Sequence, residues 1–247
     1  PTDAPEEPPE PEPTMDDAAR EAKWQCARTH RQRMLLALPA LLTVIVAVID
    51  GLDVLSQGWY DHVWLRCGIP AGLLILCLLL CPHLWQEAWE HLRHGRVTAP
   101  AAALLCGLVA LADSAWCLFL GNCPNLPFAA PAAALLYLCV CGQYRAARAR
   151  YDSFRLAQLG GVPPYVASVT AAGACKQQGR LEGFYRLWQS PDPAARWQPI
   201  LTPLYLALAT VLALVAALAG HQMNRFLWLW SALLSATVPL SLPLSGT

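Results

Sequence analysis

The residues with the clearest chemical potential lie near the end of the chain, in Ser235–Ala–Thr237–Val238–Pro239–Leu240–Ser241–Leu242–Pro243–Leu244. Pro239 and Pro243 stand four apart, and each removes a helix hydrogen bond and frees a carbonyl one turn back. In hydrocarbon a freed carbonyl is paired or lines a wet, protein-enclosed cavity. Broken membrane helices of this kind offer backbone oxygens to ions. Thr237 and Ser241 add hydroxyls at the same level, so Thr237, Val238, Pro239, Leu240 and Ser241 are the expected ion path. The competing reading is a Pro-kinked helix repaired by its own Ser and Thr.

Asp113 is the one acid well inside an apolar run, and intramembrane carboxylates are functional-site candidates by default. Alternatively, its helix ends early and Asp113 reaches the surface through Trp116 and Asn122. Cys139 and Cys141, with Cys77 and Cys81, are candidate thiolates for a soft metal. Cys77 and Cys81 share a helix face and Cys139 and Cys141 do not; the bland reading is small apolar side chains. Cys67 and Cys123 fall near one membrane surface and form a possible disulfide pair. His83, His91 and His94 border the amphipathic stretch Trp85–Glu90 and are read as solvated. No phosphate-binding glycine loop, nucleophile–base pair or zinc-type Cys/His cluster is present in the sequence.

These residues need a scaffold, and the composition says which. Of 247 residues 56 % are hydrophobic and 14 % charged, against about 25 % charged in soluble domains. Eight of the seventeen acids fall within the first 21 residues, so the rest is poorer still in charge. A soluble fold would lack the polar surface to cover itself, and a lipid bilayer is the expected partner. The net charge of zero gives no field for nucleic acid. No cleavable signal peptide precedes the first apolar run. The chain starts at Pro1 and stops at Thr247 within a motif, so a fragment of a longer protein is expected.

Six apolar runs follow one another: 34–49, 67–84, 97–120, 126–142, 199–220 and 226–244. About 20 apolar residues span a bilayer as helix. The expected fold class is therefore all-α: a polytopic membrane protein with six transmembrane helices in 2 + 2 + cytoplasmic loop + 2 order. Fifteen Lys and Arg fall on the side of the N-terminus and the long loop, and two on the other. The positive-inside rule then puts the N-terminus in the cytoplasm of a multi-pass protein of the cell membrane. Four regions are expected. Residues 1–33 hold a disordered Pro/acid tail (1–17) and a basic juxtamembrane stretch. Residues 34–142 form four spans with a cytoplasmic amphipathic platform near 85–96. Residues 143–198 make a cytoplasmic loop, with helical pieces after Gln143 and near 181–188 around a small polar region. Residues 199–247 form two spans, the last broken by proline.

The pattern resembles the membrane sector of heavy-metal-pumping P-type ATPases. That family's order is two class-specific helices, two core helices, an actuator insertion, then two further helices before the phosphorylation domain. Trp85–Gln–Glu–Ala–Trp89–Glu–His–Leu–Arg93–His–Gly95 is similar to the platform after the family's second helix. Leu135–Leu–Tyr–Leu–Cys–Val–Cys–Gly142–Gln–Tyr144–Arg145–Ala–Ala–Arg148–Ala149 is similar to its L-L-x-G-R-Y-L-E-x-R-A exit. Where the family carries C-P-C this chain reads Val238–Pro239–Leu240, so the two thiols are missing and only the proline carries over. The actuator's T-G-E-S is absent, the insertion is about half the usual length, and a D-K-T-G-T motif would lie beyond Thr247. The resemblance implies the membrane portion of a divergent ATP-driven transporter of an inorganic cation, with Mg2+ and ATP handled outside this chain. An inactive relative serving as membrane scaffold or sensor is the alternative.

Overall fold

A computed structural model describes residues 15–52, 57–123, 125–158, 165–170, 173–178, 197–221 and 223–239. The helices are α1 (Met15–Gly51), α2 (Gln57–Asp61), α3 (Val63–Leu79), α4 (Pro82–Arg93), α5 (Ala99–Leu120) and α6 (Ala129–Gln158). After a hairpin of β1 (Tyr165–Thr170) and β2 (Gly173–Gln178) come α7 (Gln198–Ala219) and α8 (Phe226–Thr237).

Among the described residues three helices are long and apolar enough to cross a membrane: α1 over Ala19–Gly51, α5 and α7. α3 and α4 pass as a fourth only when taken together across a 69° bend. Of the two, α3 is the apolar part, whereas α4 holds His83, Glu87, Glu90, His91 and Arg93. The six expected runs thus yield three or four candidate spans. On α6 the polar Gln143 follows only fourteen residues of helix, about 21 Å. α8 has twelve residues, about 18 Å, and the run beyond Pro239 lies outside the described residues.

Two boundaries differ from the sequence expectation. The basic juxtamembrane stretch is continuous with the first span, making α1 a helix of 37 residues, about 55 Å. Ala18, Ala19, Arg20, Glu21, Ala22 and Lys23 are strong helix formers. Ala19 and Ala22 also bury against Phe154 and Tyr151 of α6. The second difference lies in the loop, where β1 and β2 pair antiparallel with Thr170 opposite Gly173 within an otherwise helical architecture. Tyr165, Val166, Val169 and Thr170 are β-branched or aromatic and favour strand. The expected tail at 1–14 and the helical piece near 181–188 lie outside the described residues.

The bend between α3 and α4 has a local cause. Pro82 starts α4 and has no N–H to continue the ladder. The carbonyl of Leu78 that it abandons accepts instead from the Cys81 N–H at 3.3 Å and the Trp85 indole at 3.2 Å. At the other end of the bundle, Gly121 takes φ +63° to close α5, a conformation that favours glycine.

The core is built from small side chains. Ala102, Ala103, Cys106 and Ala110 of α5 bury against Leu74, Cys77 and Leu78 of α3 and Ala132, Ala133 and Leu136 of α6. A Cβ on Gly107 would lie 3.3 Å from the Leu78 Cδ2. Small residues permit this close approach where lipid offers no hydrophobic drive between helices. Beyond this core of small residues and leucines, many large apolar side chains face outward. On α7 Ala209, Ala213 and Ala217 are buried, while Leu208, Val211, Leu212, Val215 and Leu218 are exposed. Such a helix covered by Leu and Val suits hydrocarbon, and the helices place this chain in a lipid bilayer.

Candidate functional site

Two groups of polar side chains lie at opposite ends of the bundle. At the Gly121 end, α1 finishes, α3 begins and α5 turns into α6. Asp50 is buried there and Arg66 forks onto it, Nε to Oδ1 and Nη2 to Oδ2, both at 3.1 Å. The Trp59 indole donates to Oδ1 at 2.7 Å and the Tyr60 hydroxyl to the Asp50 carbonyl at 3.3 Å. Nη1 of Arg66 donates to the Cys123 carbonyl at 3.1 Å. One guanidinium therefore ties α1, α3 and the turn after α5 together, and the bidentate geometry is the strong form of such a pair. Sequence reasoning counted Arg66 as a loop charge and passed over Asp50; their separation of sixteen residues carries no periodic signal.

Asp113 lies on α5, seven residues before Leu120, about 10 Å from the helix end. It is buried, and its Oδ2 has no hydrogen-bond partner among the described residues. It borders a cavity of about 130 Å3 with Trp116, Asn122, Asn125, Asn224 and Arg225. Both sequence readings of Asp113 thus describe part of one arrangement. The carboxyl is inside a span, and it faces a polar vestibule that includes Trp116 and Asn122. Trp228 forms a wall of that cavity, fixed by an indole bond to the Leu126 carbonyl at 3.3 Å.

Thr237, Val238 and Pro239 sit elsewhere. Thr237 is nine residues beyond Trp228 along the chain, about 14 Å of helix, so Asp113 and the proline break occupy different levels. The Thr237 hydroxyl donates to the Leu233 carbonyl at 2.9 Å and Ser235 to the Ala232 carbonyl at 2.8 Å. Both hydroxyls serve their own helix. Val238 is buried against the core of α3, α5 and α6. Leu240 and Ser241 lie outside the described residues.

Cys139 is buried in α6 and Cys141 is half-exposed on another face. Among the described residues neither belongs to a cluster of three potential metal ligands; that arrangement occurs instead at Cys67, Cys117 and Cys123. Cys67 and Cys123 do come together, as free thiols with Cys117 as a third.

At the Tyr144 end, α1 and α6 run side by side past α4 and enclose a cavity of about 390 Å3. Arg28, Thr29, His83, Glu87, Gln143 and Arg150 are among its lining residues. Gln143 donates to the Glu87 carboxylate. Burial pushes the Glu87 carboxyl above its ordinary value, opposed by the nearby His83 and His91. His83, read as solvated, is half-exposed and lines this cavity, with its Nδ1 buried and without a hydrogen-bond partner among the described residues. His94 is exposed, as expected. Arg33 stacks over the Tyr144 ring at 4.2 Å, locking α1 to α6 where both leave the apolar zone.

The arrangement can hold a positive charge beside Asp113 from the Gly121 end and an anionic or hydrogen-bonding group in the cavity at the Tyr144 end. No protein-family model, curated protein or solved structure matches the chain.

Proposed function

We propose that this chain is the membrane portion of a divergent P-type ATPase-like cation transporter. The observation that carries the reading is the sharp turn of α3 into the amphipathic α4. It falls after the second apolar run, where the family places its platform, and it has a defined cause in Pro82. The β-hairpin between α6 and α7 adds support, because it stands at the position of a β-rich actuator. In this reading the backbone crosses six times in 2 + 2 + loop + 2 order within the cell membrane. The N-terminus and the hairpin lie in the cytoplasm with the Tyr144 end of the bundle. Asp113 and the region Thr237–Ser241 serve as successive stations for a cation rather than as one site, since they lie at different depths. Phosphorylation from ATP would occur in a domain following Thr247 and change the packing of α5 and α8.

The short hairpin and the missing T-G-E-S favour a second reading, an inactive relative acting as scaffold or sensor. One experiment separates the two. Full-length protein in membrane vesicles is incubated with radiolabelled ATP and Mg2+ and then acid-quenched. A pump forms an acid-stable, hydroxylamine-sensitive phosphoenzyme. Its absence, together with downstream sequence lacking D-K-T-G-T, removes the transport reading.

A further inference from the structure

Beside the Asp113 cavity, whose wall includes Cys117, one cluster has the composition of a metal centre. Cys67 from the second turn of α3, Cys117 from the last turn of α5 and Cys123 from the turn after it are all buried. Their sulfurs lie within 4.8 Å of one another. We propose that Cys67, Cys117 and Cys123 form a three-thiolate site for one thiophilic d10 cation, Cu(I) or a divalent ion of the zinc group. This site stands independently of the pump reading.

The geometry is close to what such an ion needs. With metal–sulfur bonds of about 2.3 Å, a trigonal planar site separates its sulfurs by about 4.0 Å and a tetrahedral one by about 3.8 Å. The three thiols are thus within about 1 Å of either arrangement. They come from three separate elements, so bringing them together in a dry pocket requires the tertiary fold. The pocket is also held in place from outside. Arg66, next in sequence to Cys67, donates to the Cys123 carbonyl, and the Cys123 thiol contacts the Asn125 carbonyl at 3.1 Å. Val63 packs over the cluster. Soft sulfur ligands select thiophilic ions over Mg2+ or Ca2+. On binding, each thiol that ligates breaks its S–H bond and releases its proton to solvent as the metal–sulfur bond forms. The soft ligands missing from Val238–Pro239–Leu240 are therefore present, at the other end of the bundle.

The test uses reduced full-length protein, purified anaerobically in detergent and titrated with Cd2+. The expected result is thiolate-to-Cd(II) charge-transfer absorption that saturates at one ion per chain. Cys67→Ser, Cys117→Ser and Cys123→Ser should each weaken binding at least about tenfold, whereas Cys26→Ser and Cys106→Ser leave it unchanged. A measurement on the unaltered protein guards against variants that fail to fold. Cd2+ should protect Cys67, Cys117 and Cys123 from alkylation and leave Cys26 and Cys141 reactive. A titration without a saturable band, or a band indifferent to the three substitutions, overturns the proposal. So does mass spectrometry of unreduced protein that finds two of the three joined as a disulfide. A missing phosphoenzyme leaves this result unaffected.

Discussion

Arg66 and Asp50 meet across sixteen residues of sequence as a two-pronged ion pair, with both contacts at 3.1 Å. The Asp50 side chain is 4 % exposed and that of Arg66 19 %, so the pair is largely withdrawn from water. Breaking such a pair leaves a stranded charge, whereas removing both members costs little. Arg66→Met should therefore destabilise by about 3 kcal/mol, and adding Asp50→Leu to it should restore most of the loss. Unfolding of the reconstituted protein by SDS titration measures both. Equal losses in the single and double variants would contradict the account.

Asp113 is a stability liability as the structure has it, because Oδ2 is buried without a partner. Asp113→Leu should raise stability by about 1 kcal/mol and remove cation-dependent phosphoenzyme formation in the full-length protein. A residue retained against its own stability cost is the pattern of a functional group. Thermal unfolding in detergent checks the first half, and a destabilised variant would mean that Oδ2 has a partner after all.

Gly107 allows α3 and α5 to approach. Gly107→Leu adds four carbons where the first already lies 3.3 Å from Leu78. The helices must separate or Leu78 must leave its rotamer, at a cost of about 1–3 kcal/mol. The compensating change Leu78→Ala should recover part of that loss. No recovery would show that the contact does not set the spacing.

Glu87 links α4 to α6 through Gln143, and burial raises its carboxyl above the ordinary value of 4.5. A raised folded-state value means that this group's contribution is fully present below the ordinary value and lost as pH rises through the shifted one. Docking of α4 should thus weaken with rising pH across the acidic range. Glu87→Gln should flatten that dependence and leave the variant the more stable at neutral pH. His83, His91 and Glu90 lie close enough to act on the same carboxyl, so the comparison is made between Glu87→Gln and wild type at each pH. Proteolysis of the α4 segment gives the readout, and identical pH profiles would refute the assignment.

Much of the scaffold was legible in the sequence because bilayer insertion depends on local composition. Apolar runs and the amphipathic pattern around Trp85–Glu90 act over one or two turns, whereas the break at Pro82 fell inside the run read as 67–84. The same locality explains what was misjudged. Whether residues 15–33 continue the first helix depended on Ala19 and Ala22 meeting Phe154, more than a hundred residues away.

The sequence by itself determined that this chain is a helical membrane protein and where its apolar segments lie, since the cost of exposing them to water is additive along the chain. It also marked Asp113, through the expense of an acid in an apolar run. Only the tertiary structure decided that Asp50 belongs to Arg66, that Asp113 faces a cavity remote from Thr237, and that Cys67, Cys117 and Cys123 converge. Those relationships arise from which helix faces pack together, and side-chain packing of small residues leaves no periodic trace from which a partner's identity can be read.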